Sequence, residues 1–221
     1  MKKTGAAVWK EQVKRRTVTR ENFAYEGGMK MHGERQILFV NACVRPESRT
    51  RRLAQAVLDG MAGVVTEVNL EQTPAAPLNR ESLAKRNHLL RAGNYSDDFF
   101  ALARQFAAAD EIVIAAPYWD LAFPALLRGY LEQVTVPGIT FSYTPEGIPY
   151  GLCQACRLTY VTTAGGPILE HQYGYGYIQD LCRTFYGIRE VICRQAEGLD
   201  LVGADPEAIL ADAVRKLEET E

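Results

Sequence analysis

No stretch of this 221-residue chain approaches the ~20 consecutive apolar residues that a membrane-spanning helix needs; the longest runs, such as Ile112 to Tyr118, stop far short. Basic residues are not in excess. Lys and Arg total 25 against 27 Asp and Glu, a net charge of −2, which argues against a dedicated nucleic-acid binder. Cysteines number five, odd and scattered, which fits a reducing, cytoplasmic setting better than a secreted disulfide scaffold. The three histidines, His32, His88 and His171, are not spaced to act together. Cys153-Gln-Ala-Cys156 lacks the two further ligands of a zinc site, and it leads into a strand where a redox pair would open a helix. Metal is therefore not expected. Neither the Walker pattern nor the dinucleotide G-x-G-x-x-G occurs, and no Ser/His/Asp arrangement stands out. What is present is ordinary for one soluble globular domain: 47% hydrophobic, 24% charged and 10% aromatic residues.

The first 33 residues differ from the rest. They carry eight Lys or Arg against Glu11, Glu21 and Glu26, without the apolar run of a secretory signal. Two readings stand for this segment: a flexible extension ahead of a domain beginning near Met29 or Met31, or a basic arm that packs on a partner subunit.

From Gln36 onward, short β-rich runs alternate with amphipathic stretches. Strands are expected at Gln36–Asn41, Val64–Leu70, Glu111–Ala116, Arg157–Thr163 and Glu190–Ala196. Helices are expected at Ser48–Met61, Glu81–Arg91, Asp97–Ala109 with Ser96 as cap, Pro124–Val134, Tyr175–Tyr186 and Pro206–Glu219 with Asp205 as cap. Thr140–Tyr150, with Pro145, Gly147 and Pro149, reads as a hairpin-like excursion. Alternation of this kind predicts a doubly wound α/β domain over residues 34–221, with a five-stranded parallel sheet and helices on both faces.

In an open parallel sheet, ligands bind at the carboxyl ends of the strands near the reversal of strand order. Three loops qualify. Asn41 to Thr50 runs into a helix and offers Ser48 and Thr50 beside the free amides of the first turn, a phosphate site built from backbone and hydroxyls; a plain helix cap would look the same. Pro117-Tyr-Trp-Asp-Leu-Ala-Phe-Pro124 places two aromatics and a carboxylate past a buried strand, suited to a flat heteroaromatic ring or simply to core packing. Thr162-Thr-Ala-Gly-Gly-Pro167 lets backbone amides come close to a ligand, and is equally a simple turn.

Together, in this order, the three motifs resemble the FMN-dependent NADH-azoreductases and NAD(P)H:quinone oxidoreductases of the flavodoxin-like fold, over about Gln36 to Ala213. Further matches are Ile139-Thr-Phe-Ser-Tyr-Thr144, Phe185-Tyr-Gly-Ile188 and Ala196-Glu-Gly198. The resemblance implies strand order 2-1-3-4-5. It implies that Ser48, Arg49 and Thr50 hold an FMN phosphate, with Cys43 standing where the family often has an assisting serine. Pro117, Tyr118, Trp119, Asp120 and Leu121 would contact the ring, as would Thr163, Ala164, Gly165 and Gly166. Tyr143 and Phe185 would lie on the substrate side. Asp120 replaces a frequent Asn. The activity implied is alternating hydride transfer from NADH or NADPH, through FMN, to a quinone, azo compound or similar flat acceptor. The chemistry belongs to the flavin, so no catalytic side chain is assigned, and a homodimer with sites at the interface is implied. The rival is a non-catalytic, flavodoxin-like electron carrier, although such carriers are more acidic and use a Thr-rich phosphate loop that this chain lacks. An interaction module built on the basic arm is a third reading, for a chain that binds no flavin.

Overall fold

The computed structural model describes residues 34–73 and 75–218. The basic segment, for which an extension or an arm is expected, lies outside the described residues, as do Pro74 and the last three residues of the expected domain.

β1 (Gln36–Asn41) and β3 (Glu111–Ala115) are buried almost throughout, as continuous apolar runs require in a parallel sheet covered on both faces. With β2 (Val64–Asn69), β6 (Arg157–Thr163) and β7 (Glu190–Ala196) they form one five-stranded parallel sheet, ordered β2-β1-β3-β6-β7. β4 (Phe141–Tyr143) and β5 (Pro149–Gly151) form a separate antiparallel hairpin where the turn residues place one. Leaving the hairpin aside, the sheet order is the expected 2-1-3-4-5.

Successive strand residues point to opposite faces, so the sheet has two cores. Ile37, Phe39, Val113, Ala115 and Val161 face α1 (Arg49–Asp59) and α6 (Pro206–Glu218). Leu38, Val40, Ile112, Ile114, Leu158 and Tyr160 face the other layer: α3 (Ala101–Ala108), α4 (Ala125–Val134) and the helical stretch Gln172–Tyr186. In that stretch α5 (Tyr177–Leu181) is flanked by wide π turns at Gln172–Gly176 and Cys182–Tyr186. A smaller cluster of Leu89, Phe100, Ala103, Val136 and Ile139 anchors α2 (Arg80–Ala92).

Three local expectations are corrected. The helix expected from Asp97 opens with a 3₁₀ turn, Asp98–Phe100, before α3. Its cap is Asp97, whose carboxylate accepts from the Phe99 amide, while the Ser96 hydroxyl turns back to Asn94. The helix expected from Tyr175 begins three residues earlier, its π turn carrying Gly174 and Gly176. No helix among the described residues is long and apolar enough to cross a membrane.

Candidate functional site

The strands end in register. The Ala42 amide donates to Ala115 O at 2.9 Å, Ala116 N to Val161 O at 2.9 Å and Ala164 N to Ala196 O at 3.0 Å. The loops after β1, β3 and β6 therefore leave from neighbouring points on one sheet edge.

After β1, buried Asn41 shapes the loop: its amide oxygen accepts from Cys43 N at 3.0 Å and its amide nitrogen donates to Glu67 at 2.8 Å. Ser48 caps α1 in extended conformation and accepts from Arg51 N at 3.2 Å. The Arg49 and Thr50 amides of the first turn have no intrahelical acceptor, which is the usual basis of an anion site. Thr50 turns inward, and its hydroxyl meets that of Thr163 at 2.6 Å, both buried. Three arginines of this turn each pair with a carboxylate from another element: Arg49 with Asp200 at 2.7 Å, Arg51 with Glu67 at 3.2 Å and Arg52 with Glu207 at 2.6 Å. An open depression of about 420 Å³ lies beside the turn, lined by Pro46, Glu47, Ser48, Arg51, Arg52 and Gln55. Cys43 is buried with its thiol toward Ala115 O, and burial pushes its pKa up, so that it stays a neutral thiol.

After β3, Tyr118 N donates to Thr163 O at 3.0 Å. Trp119 and Ala122 then exchange both backbone bonds, at 3.0 and 2.8 Å, around Asp120 (φ 50°) and Leu121 (φ 68°). Two left-handed residues between such bonds make a type I′ turn. Asp tolerates that region, as Asn does; Leu does so at a cost. Asp120 in place of Asn thus keeps the backbone shape. Trp119 and Leu121 are exposed.

After β6 the two glycines differ. A Cβ at Gly165 would lie 2.2 Å from the Asp200 carboxylate, whereas one at Gly166 would meet nothing within 4 Å. The space at Gly165 serves a side chain of the protein itself, and Gly166 is the glycine with open approach. Farther on, Tyr118 donates its hydroxyl to Glu170 O at 3.3 Å, and Ile168 N donates to Glu197 at 2.7 Å. Beneath this segment Tyr118, Tyr160, Thr162, Glu170, exposed His171 and Gly174 help to line a cavity of about 10 Å³, no larger than one water at most.

The fold thus brings Ser48, Arg49, Thr50, Pro117 to Leu121 and Thr163 to Gly166 to one edge. It does not bring Tyr143 and Phe185 there. Both pack on Phe141, with ring centroids 5.3 and 4.8 Å away. Gly151 abuts the Tyr186–Gly187 backbone, and Cys156 N reaches Asp110 O just before β3, so this cluster lies toward the amino edge of the sheet. Cys153 is likewise away from the loops, its thiol pushed up by burial, while Cys156 is exposed. Sequence reasoning missed Asp200 and Glu197. The signal available was the Ala196-Glu-Gly198 element that contains or precedes them.

A family model described as flavodoxin-like fold matches residues 35–220. FMN-dependent NADH:quinone oxidoreductase 2 of Clostridium acetobutylicum is 32% identical over 197 residues, spanning 83% of this chain and 96% of that protein. The FMN-dependent NADH:quinone oxidoreductase of Clostridium beijerinckii is 39% identical over 120 residues, 53% of this chain and 60% of the relative. Among solved structures, an azoreductase from Bacillus anthracis str. Sterne aligns with a TM-score of 0.72 at 23% identity, covering 84% of this chain and 98% of that one. An FMN-dependent NADH-azoreductase from Bacillus anthracis str. Ames Ancestor, solved with FMN, aligns at 0.70 and 19% identity, covering 84% and 97%. At such identities the solved structures speak for the fold.

Proposed function

This chain belongs to the flavodoxin-like family of FMN-dependent NADH:quinone oxidoreductases, and on that premise we propose that it is an FMN-dependent NAD(P)H oxidoreductase acting on quinones, azo compounds or similar flat acceptors. The observation that carries this reading is the meeting of the α1 N-terminus, the Trp119–Ala122 turn and Gly165–Gly166 on one sheet edge. The donors there fit the cofactor. The Arg49 and Thr50 amides and the Ser48 hydroxyl suit a phosphate, and the open face of Gly166 suits a flat ring. Bound FMN supplies the two-electron chemistry, accepting hydride from the nicotinamide donor and passing it to the acceptor.

The chain's own residues position and enclose. The partial positive charge of the α1 N-terminus favours a phosphate. Pro117, Tyr118, Trp119, Asp120 and Leu121 would hold the ring together with the Thr163 to Gly166 backbone. Donor and acceptor use the same place in turn, which gives alternating half-reactions.

The chain acts as a homodimer in this reading. Tyr143 and Phe185 sit toward the opposite edge from the loops, so they reach the substrate side of a flavin only from a second copy. Five free cysteines suit the cytoplasm.

The test is an absorbance spectrum of the protein with FMN, followed by anaerobic NADH. The expected result is a bound-flavin spectrum that bleaches on addition of NADH. Bound flavin that NADH leaves coloured indicates the electron carrier, and absence of flavin binding overturns the reading. Sedimentation with FMN tests the dimer, with a monomer as the contrary result.

A further inference from the structure

Asp200 lies outside every motif the sequence presents, yet it joins two of the three loops. Its backbone amide donates to Gly165 O at 2.8 Å, flanked by Leu199 N to Ala164 O at 3.2 Å and Gly198 N to Gly166 O at 3.0 Å. The turn Gly198–Asp200 is thereby stitched along the glycine loop. Its side chain reaches in the other direction: Arg49, in the first turn of α1, donates to one carboxylate oxygen at 2.7 Å and to Leu199 O at 3.4 Å. The second carboxylate oxygen fills the space where Gly165 has no Cβ. One residue thus touches the glycine loop through backbone and side chain and the phosphate loop through an ion pair.

We infer that Asp200 is a positioning residue for the cofactor, a clasp that sets the spacing between the α1 first turn and the Gly165–Gly166 loop. The inference rests on the reading of this edge as the FMN site. Two features set its role apart from general stability. The ion pair is well exposed, with Arg49 at 36% and Asp200 at 63% side-chain accessibility, and such pairs contribute little to folding. It also joins elements 151 residues apart in sequence, so what it fixes is geometry between loops that the chain itself leaves independent. Arg49 is held by Asp200 and by Leu199 O, which leaves the phosphate to the Ser48 hydroxyl and the first-turn amides.

The experiment compares wild type, Asp200→Asn and Asp200→Ala by titrating the full chain with FMN and, separately, with riboflavin, which lacks the phosphate. Thermal unfolding of each apoprotein is measured alongside. Asp200→Ala is expected to weaken FMN, which spans both loops, about tenfold, the effect of losing one partly exposed charged hydrogen bond, and riboflavin, which engages the ring loop alone, by less. Asp200→Asn keeps the contact with Gly165 and one acceptor for Arg49, and is expected to fall between Asp200→Ala and wild type. Apoprotein unfolding is expected to move little. Equal weakening of FMN and riboflavin overturns the inference, because it reduces Asp200 to a prop of the glycine loop alone; unchanged or tighter binding of both flavins overturns it as well. Should Asp200→Ala fail to fold, Asp200→Asn carries the same comparison, and Asn binding both flavins within twofold of wild type overturns the inference. Wild type that binds neither flavin overturns the site reading and the inference together, whereas tight wild-type binding with indifferent variants overturns the inference alone.

Discussion

The two ends of the crevice are built on different principles. At the end proposed for the phosphate, α1 is tied to its surroundings by the buried Thr50–Thr163 hydroxyl pair and by ion pairs to Glu67, Asp200 and Glu207. At the ring end, the Trp119–Ala122 turn makes two bonds within itself, two residues hold left-handed backbone, and Trp119 and Leu121 face solvent. The first end is positioned by partners brought from elsewhere in the fold. The second is positioned by its own local conformation. A phosphate is the same in every turnover and rewards a fixed cradle, while the ring face must admit donor and acceptor in turn and is served by a self-contained turn with an open surface.

If that contrast holds, removing a partner should hurt the phosphate end most. Thr163→Val strands the buried Thr50 hydroxyl, and the apoprotein is expected to lose about 1–3 kcal/mol in denaturant unfolding. Adding Thr50→Val should then cost less than the sum of the two changes, and strict additivity would break the contrast. At the ring end, backbone change should matter more than lost partners. Asp120→Val places a β-branched residue in the left-handed region, at about 1–2 kcal/mol, whereas Asp120→Asn should be nearly silent in unfolding. Losing the single Tyr118–Glu170 bond is a smaller matter. Tyr118→Phe is expected to cost about 1 kcal/mol or less and to show first as faster proteolysis near Ile168–Gln172.

Alkaline titration sharpens the contrast further. Burial raises the Cys43 pKa above its ordinary value of 9.0, so its thiol supports the folded state fully below that pH. That support is lost as pH rises past about 9, because the unfolded chain ionises first. Wild-type unfolding midpoints should therefore decline more steeply above that pH than those of Cys43→Ala, and equal slopes would count against the assignment.

Much of this architecture is legible in the sequence because parallel strands buried on both faces leave apolar runs that need no context. Glu111–Ala115 and Gln36–Asn41 are read within a residue of their bounds for that reason. The three loops follow from the rule for carboxyl ends. What stays hidden depends on long-range contact. Ser96 and Asp97 are both good caps, and only the placement of the chain chooses between them. Gly165 and Gly166 look alike as neighbours, yet one makes room for Asp200 and the other opens outward. The distance of Tyr143 and Phe185 from the loops is likewise invisible until the helices are seen to run back along the strands.

The missing Cβ at Gly165 makes the order of sequence change matter. While Asp200 is in place, alanine at 165 must push aside a carboxylate oxygen 2.2 Å away and with it the partner of Arg49; once Asp200 has been shortened to alanine, only its Cβ, 3.2 Å away, has to give. Positions 165 and 200 are therefore coupled: a side chain at 165 displaces more while the carboxylate is present than after it has gone, so the order in which a drifting lineage changes the two positions decides what each step costs.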